Sequence, residues 1–147
     1  MLSDQISLLE SAKQDKKVNE SYLRALKTMD EKLVFDEVKK IHSAVFAKTN
    51  CLQCANCCKT TPALLTHDDI KRLANVLEIS AKQFKRKYVL EDVNGEMTIN
   101  GVPCRFLTED NHCSVYEFRP EACRRFPHTD EKEYVRRTSL NLPNTMI

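Results

Sequence analysis

The sequence predicts an α+β protein: a small cysteine-rich metal-binding domain with short hairpins, preceded by a long amino-terminal helix. Three observations predict it. Residues 1–49 carry apolar side chains at helical spacing and contain no glycine or proline. Four of the seven cysteines, Cys51, Cys54, Cys57 and Cys58, fall within eight residues, and the other three, Cys104, Cys113 and Cys123, lie in a later segment. Turn dipeptides, Asn94-Gly95 and Asn100-Gly101, punctuate the stretch between the two groups and use both glycines of the chain. The expected division is a helical extension over 1–49, a cysteine-cluster metal-binding domain over 50–128 and a polar tail over 129–147.

In the first part, Tyr22, Leu23, Leu26, Leu33, Val34, Ile41, Val45 and Phe46 recur at the helical period with charges between them. Met29 and Val38 thicken the stripe, and one long helix is expected. Covering the cysteine domain is the first role for such a face. Self-association, or docking of a partner protein through the amino-terminal helix, is the second. His42 on this helix reads as a packed or surface residue.

The cysteine loop opens the middle part and leads into helix. Thr66 with Asp69 forms a capping-box pattern, and Asp68 and Asp69 place negative charge in the first turn, where the helix dipole favours it. Ile70, Leu73, Ala74 and Leu77 then give one apolar face. Ser80 with Gln83 repeats the pattern and starts a short helix carrying Phe84. His67, in a helix first turn, reads as a surface residue.

In the third part, Asn94-Gly95 predicts a hairpin, because both residues tolerate positive φ. Val93 precedes it, and Met97 and Ile99 follow it. Cys104-Arg105-Phe106-Leu107 reads as a strand, Thr108 to His112 as a polar turn, and Cys113-Ser114-Val115-Tyr116 as the returning strand. Pro120 suits the first turn of a short helix that presents Cys123.

Cysteine spacing carries the chemistry. A CxxC loop aims two thiolates at one ion, CxxCxxC adds a third, and a distant segment closes the coordination sphere. The cysteine count is odd, and adjacent Cys57 and Cys58 are poorly placed to bridge each other, so a disulfide framework fits badly. The amino terminus lacks an apolar segment after a basic start, so no secretory signal is read and a cytoplasmic location is expected. No apolar run approaches the length needed to cross a membrane. A net charge of +2 and few aromatic residues argue against nucleic acid as a partner. Lys59, Arg105, Arg119, Arg124 and Arg125 cluster around the cysteines. Of these, Arg105, Arg119 and Arg124 are the candidates for screening a polythiolate cofactor site and donating to sulfur.

All seven cysteines are candidate metal ligands. Two tetrahedral zinc ions need eight ligand positions, and one bridging thiolate brings that to seven residues. A [4Fe–4S] cluster could instead take Cys51, Cys54, Cys57 and one distant cysteine. Thiolates suit both, so zinc, mononuclear or binuclear, and an iron–sulfur cluster stay equally open. His112 and His128 are further candidates for ligand or proton carrier. Glu109 and Asp110 sit side by side in a polar turn and do not make a catalytic pair, so the sequence names no catalytic residue.

The run Cys51-Leu-Gln-Cys54-Ala-Asn-Cys57-Cys58 is a complete CxxCxxCC motif. It is followed by Pro103-Cys104-Arg-Phe-Leu, then Cys113-Ser-Val-Tyr116, then Arg119-Pro120-Glu-Ala-Cys123-Arg124-Arg-Phe126-Pro127. Together these resemble the bacterial CxxCxxCC cysteine-cluster family, the YkgJ-like zinc- or iron-chelating domains, over roughly 50–128. The resemblance implies chelation of zinc or iron by the cysteines. One branch, the flagellin lysine methylases, carries the same pattern and looks like an iron–sulfur enzyme. The resemblance therefore also admits an iron–sulfur-dependent oxidoreductase or protein-modifying enzyme.

Overall fold

The computed structural model describes residues 13–133 together with 7, 10 and 11, and describes Cys51 by its backbone alone. Most of the expected polar tail, from residue 134 on, lies outside the described residues. The chain forms two compact units, Cys51–Arg125 and a second made of Met1–Asn50 with Phe126–Ile147. No helix among the described residues is long and apolar enough to cross a membrane.

In the second of these units the amino-terminal third is helical, as its periodicity predicts, but it is divided. Helix α1 spans Lys16–Leu26 and helix α2 spans Glu31–Phe46. The break needs no glycine or proline. The Asp30 carboxylate accepts the Leu33 amide at 2.9 Å and caps α2, and a short acidic side chain that bonds the backbone locally favours a cap over a helix interior. Leu26 and Val34 are buried against each other with Leu23 and Val38 beside them. The rest of the stripe is more than half exposed at Tyr22, Met29, Leu33, Ile41 and Val45. These residues, with Phe126, line a groove of about 580 Å³. His42 stacks on Phe46 and bonds the Thr129 hydroxyl at 2.7 Å, which makes it a packed residue.

The Cys51–Arg125 unit begins with two short helical turns, α3 (Cys51–Cys54) and α4 (Asn56–Thr60), followed by α5 (His67–Val76) and α6 (Ala81–Tyr88). Both predicted capping boxes form. Thr66 and Asp69 cap α5 reciprocally, and Ser80 and Gln83 cap α6. Strands β1 (Val89–Glu91) and β2 (Met97–Ile99) pair antiparallel, with Val89 opposite Ile99. Gly95 takes φ +80 in the turn between them. The Asp92 carboxylate accepts the amides of Asn94 and Glu96 at 2.9 and 2.7 Å, which locks the turn from within. On its other side β2 meets Ala63–Leu65: the Leu65 amide donates to Met97 and the Ile99 amide to Ala63, both at 2.8 Å.

Cys104–Leu107 and Cys113–Tyr116, expected as two strands, share one isolated bridge, Leu107 with Cys113. The reason lies in the backbone. The Cys104 amide is taken by the Cys58 carbonyl at 2.7 Å, and the Leu107 amide turns back to the Cys104 carbonyl at 3.0 Å. The Ser114 amide still donates to the Phe106 carbonyl at 2.8 Å, but the pairing goes no further than the one bridge. The chain then enters a 3-10 turn at Tyr116–Phe118 and the short helix α7 (Glu121–Arg125). The Pro120 carbonyl accepts the amides of Cys123 and Arg124, so proline starts the helix as expected.

One core holds this unit: Leu65, Ile70, Leu73, Ala74, Phe84, Met97, Ile99, Phe106 and Val115, with Cys104 and Cys113 packed against it. Phe84 is completely buried and touches the rings of Tyr88 and Phe106 at centroid separations of 5.1 and 6.3 Å. Replacing it leaves a ring-sized void at the centre of the core. Phe84→Ala is expected to lower the unfolding free energy of this unit by about 3–5 kcal/mol. Val93→Ala, at a fully exposed side chain, should change it by less than about 0.5 kcal/mol. Urea denaturation of the two variants checks the contrast.

Candidate metal centre

The cysteine motif is shaped by an unusual backbone position. Ala55 takes φ 50 and ψ 14, in the left-handed region, between α3 and α4. That conformation is costly for a residue with a Cβ. Here it ends one helical turn after Cys54 and starts another that carries Cys57 and Cys58. Ala55 itself is buried at 4 % exposure. The expected ligand Cys51 has its side chain outside the described residues.

Cys58 joins the motif to the later segment. Its carbonyl accepts the Cys104 amide at 2.7 Å, and its thiol is hydrogen-bonded to Cys57. Cys104, Cys113 and Cys123 each respond to the charge on Cys58, so four thiols from both segments share one electrostatic neighbourhood. The hydrogen bond that the Cys58 thiol donates to Cys57, followed by burial, pushes the Cys58 thiol far up. Burial, then the charges of Cys58, Cys104 and Cys113, push Cys123 up to about 12. Cys104 and Cys113 are raised by burial first and by neighbouring thiols second. Cys54, Cys57, Cys58, Cys104, Cys113 and Cys123 are all partly buried.

The predicted arginines divide between two tasks. Positive charge at Arg119 lowers the Cys113 and Cys123 thiols against the upward trend. Lys59 does the same for Cys58. Arg105 donates to the Asn100 carbonyl at 3.3 Å. Arg124 donates to the carbonyls of Arg119 and Glu117 at 3.1 and 3.0 Å. These two guanidinium groups hold main chain. His112 pairs with Asp110 at 3.0 Å in an exposed turn. His128 belongs to the other unit and bonds Glu131 at 2.7 Å.

Asp69, which the sequence marks only as part of a helix cap, and Arg72, which no sequence motif singles out, reach into this region. Asp69, 1 % exposed, uses Oδ2 for the α5 cap, accepting the Thr66 amide and hydroxyl at 2.9 and 2.8 Å. Its Oδ1 accepts Arg72 and the Glu121 amide, the latter at 3.1 Å. Arg72 also donates to the carbonyls of Phe118 and Arg119, at 3.3 and 3.1 Å. With the Arg119 guanidinium on the Tyr116 carbonyl and Arg124 on Glu117, four consecutive carbonyls, 116 to 119, accept from arginine. The spacing of Asp69 and Arg72 marks a helix pair, but nothing in it signals contacts some fifty residues away.

The profile of the family described as "CxxCxxCC: Putative zinc- or iron-chelating domain" matches residues 50–140. The chain belongs to this family. No curated protein and no solved structure matches the chain. The CxxCxxCC family's description agrees with the donor chemistry. Thiolates suit zinc and iron alike, and buried thiols that raise one another can ionise together only against positive charge. Among the described residues, no group of three or more His, Cys, Asp or Glu side chains is arranged to hold an ion as it stands. The Cys58 carbonyl and the Cys104 amide meet at 2.7 Å, so the motif and the later segment are joined at the backbone.

Asp69 gives the region an acid-sensitive bond. Burial pushes its carboxyl up, but hydrogen bonds from Thr66, Glu121 and Arg72 outweigh burial and hold it below the usual carboxylate value. A carboxyl lowered in the folded state stabilises fully above its unfolded value, about 3.9, and stops doing so as pH falls through the folded value. Asp69→Asn is therefore expected to be less stable than the wild type at neutral pH. The gap should close as pH drops below about 4. Urea midpoints across that range check the sign.

Proposed function

We propose that this protein binds zinc or iron through cysteine thiolates drawn from both segments, with all seven cysteines as its ligand set. The bond between the Cys58 carbonyl and the Cys104 amide carries the reading, because it ties the CxxCxxCC motif to the distant cysteines within one unit. Cys58, Cys104, Cys113 and Cys123 supply one four-thiolate centre, the number that one tetrahedral zinc or one cubane takes. Cys51, Cys54 and Cys57 complete the set, either at a second ion or through a bridge. Bound there, zinc or a [4Fe–4S] cluster supplies the positive charge that lets the thiols ionise. The chain's own part is to bring the sulfurs together, to exclude water by packing Cys104 and Cys113 on the core, and to add positive charge at Arg119.

The odd cysteine count fits a disulfide framework badly, which supports a reducing compartment, taken here to be the cytoplasm.

Elemental analysis after anaerobic purification, with visible absorption, tests the reading. Stoichiometric zinc without colour, or iron with broad charge-transfer absorption, is expected. Cys58→Ser and Cys104→Ser should each lose most of that metal. A protein free of both metals, or full metal content in every single serine variant, would overturn the proposal. Complete chelation is further expected to raise hydrogen exchange across 51–125 more than across α2, because binding energy at a site absent from the unfolded chain is folding energy. Exchange-detected mass spectrometry before and after chelation measures it.

A further inference from the structure

We propose that Asp69 and Arg72 are positioning residues for the metal centre, holding the Phe118–Glu121 corner from which the chain runs back to Cys113 and forward to Cys123. This rests on the metal-binding reading above. The observation behind it is a division of labour within one carboxylate. Capping α5 requires only Oδ2, which takes the Thr66 amide and hydroxyl. The second oxygen is spent on the Glu121 amide, at the start of the helix that carries Cys123. Nearby, Ser80 and Gln83 perform the same capping task for α6 with neutral groups, and their cap bonds are all to each other. Charge at Asp69 is therefore not needed for a cap. It serves the longer connection, where a buried carboxylate is tolerated only if fully paired.

Arg72 completes the clamp. Its Nη2 donates both to Asp69 and to the Arg119 carbonyl, and its Nε donates to the Phe118 carbonyl. The planar fork of arginine fixes direction as well as distance, which a lysine ammonium does not. Arg119, whose charge reaches Cys113 and Cys123, is held on the same corner. It lies 4.0 Å from the Tyr116 ring and bonds the Tyr116 carbonyl at 2.8 Å. The clamp thus sets two candidate ligands and the cation between them. Outer-shell groups of this kind orient ligands, and losing one typically costs about 10–100-fold in metal affinity.

The test uses the full chain and Co²⁺ as an optical stand-in for zinc, with affinity read from sulfur-to-cobalt charge-transfer absorption in competition with a chelator. Four proteins are compared at a temperature where circular dichroism shows each folded: wild type, Asp69→Asn, Arg72→Lys and Ser80→Ala. Asp69→Asn should bind Co²⁺ about 10–100-fold more weakly and shift the ligand-field bands. Arg72→Lys keeps the charge and loses the fork, so it should weaken binding by less and shift the same bands. Ser80→Ala removes a cap of similar local worth and should bind as the wild type does. Should Asp69→Asn fail to fold, the contrast between Arg72→Lys and Ser80→Ala decides. Wild-type affinity and spectrum in both clamp variants would overturn the proposal, as would an equal loss in Ser80→Ala. A wild type that gives no sulfur-to-cobalt absorption and carries neither zinc nor iron after anaerobic purification would instead overturn the metal-binding reading itself.

Discussion

Partly buried thiols brought together resist ionisation, and Cys58, Cys104, Cys113 and Cys123 of the Cys51–Arg125 unit are all shifted in that direction. Each of Cys104, Cys113 and Cys123 is raised first by burial and then by the other sulfurs. A polypeptide gains nothing from such an arrangement on its own, since inert core thiols need no mutual proximity. The arrangement becomes favourable only with positive charge at its centre. Arg119 and Lys59 supply part of it from the rim. In the proposed function a coordinated cation would supply the rest, and the fold's main-chain bonds would keep the sulfurs near one another.

The Cys58 carbonyl fixes Cys104, a single bridge fixes Cys113 against Leu107, and the Asp69 carboxylate fixes the entrance to the helix of Cys123. The apolar core lies beneath this set and supports it through Phe106 and Val115. The core is small, its elements are short, and a metal has correspondingly more folding energy to contribute here than in a larger domain.

Local chemistry made part of this legible in the sequence. Thr66 with Asp69 and Ser80 with Gln83 predict helix starts because each pattern satisfies its own amides within one turn. Asn94-Gly95 marks the turn between β1 and β2, where Gly95 takes the positive φ and the Asp92 carboxylate holds the amides of Asn94 and Glu96. The family was legible too, since the two cysteine segments appear in order with their flanking residues. The break between α1 and α2 was not, because the apolar stripe continues across it and only the Asp30 cap marks the place. The second hairpin failed for a long-range reason: the Cys104 amide that a ladder would use is claimed by Cys58. Ala55 gave no signal because alanine is not a residue expected at positive φ. The reach of Asp69 and Arg72 is likewise invisible to any pattern confined to neighbours in the chain.

The account stands on thiolate ligation by cysteines of both segments, and X-ray absorption at the edge of the native metal tests that most directly. The account predicts a first shell of sulfur scatterers at about 2.3 Å, losing sulfur amplitude when either Cys58 or Cys104 is replaced by serine. A first shell dominated by nitrogen or oxygen, or one unchanged by both substitutions, would contradict it.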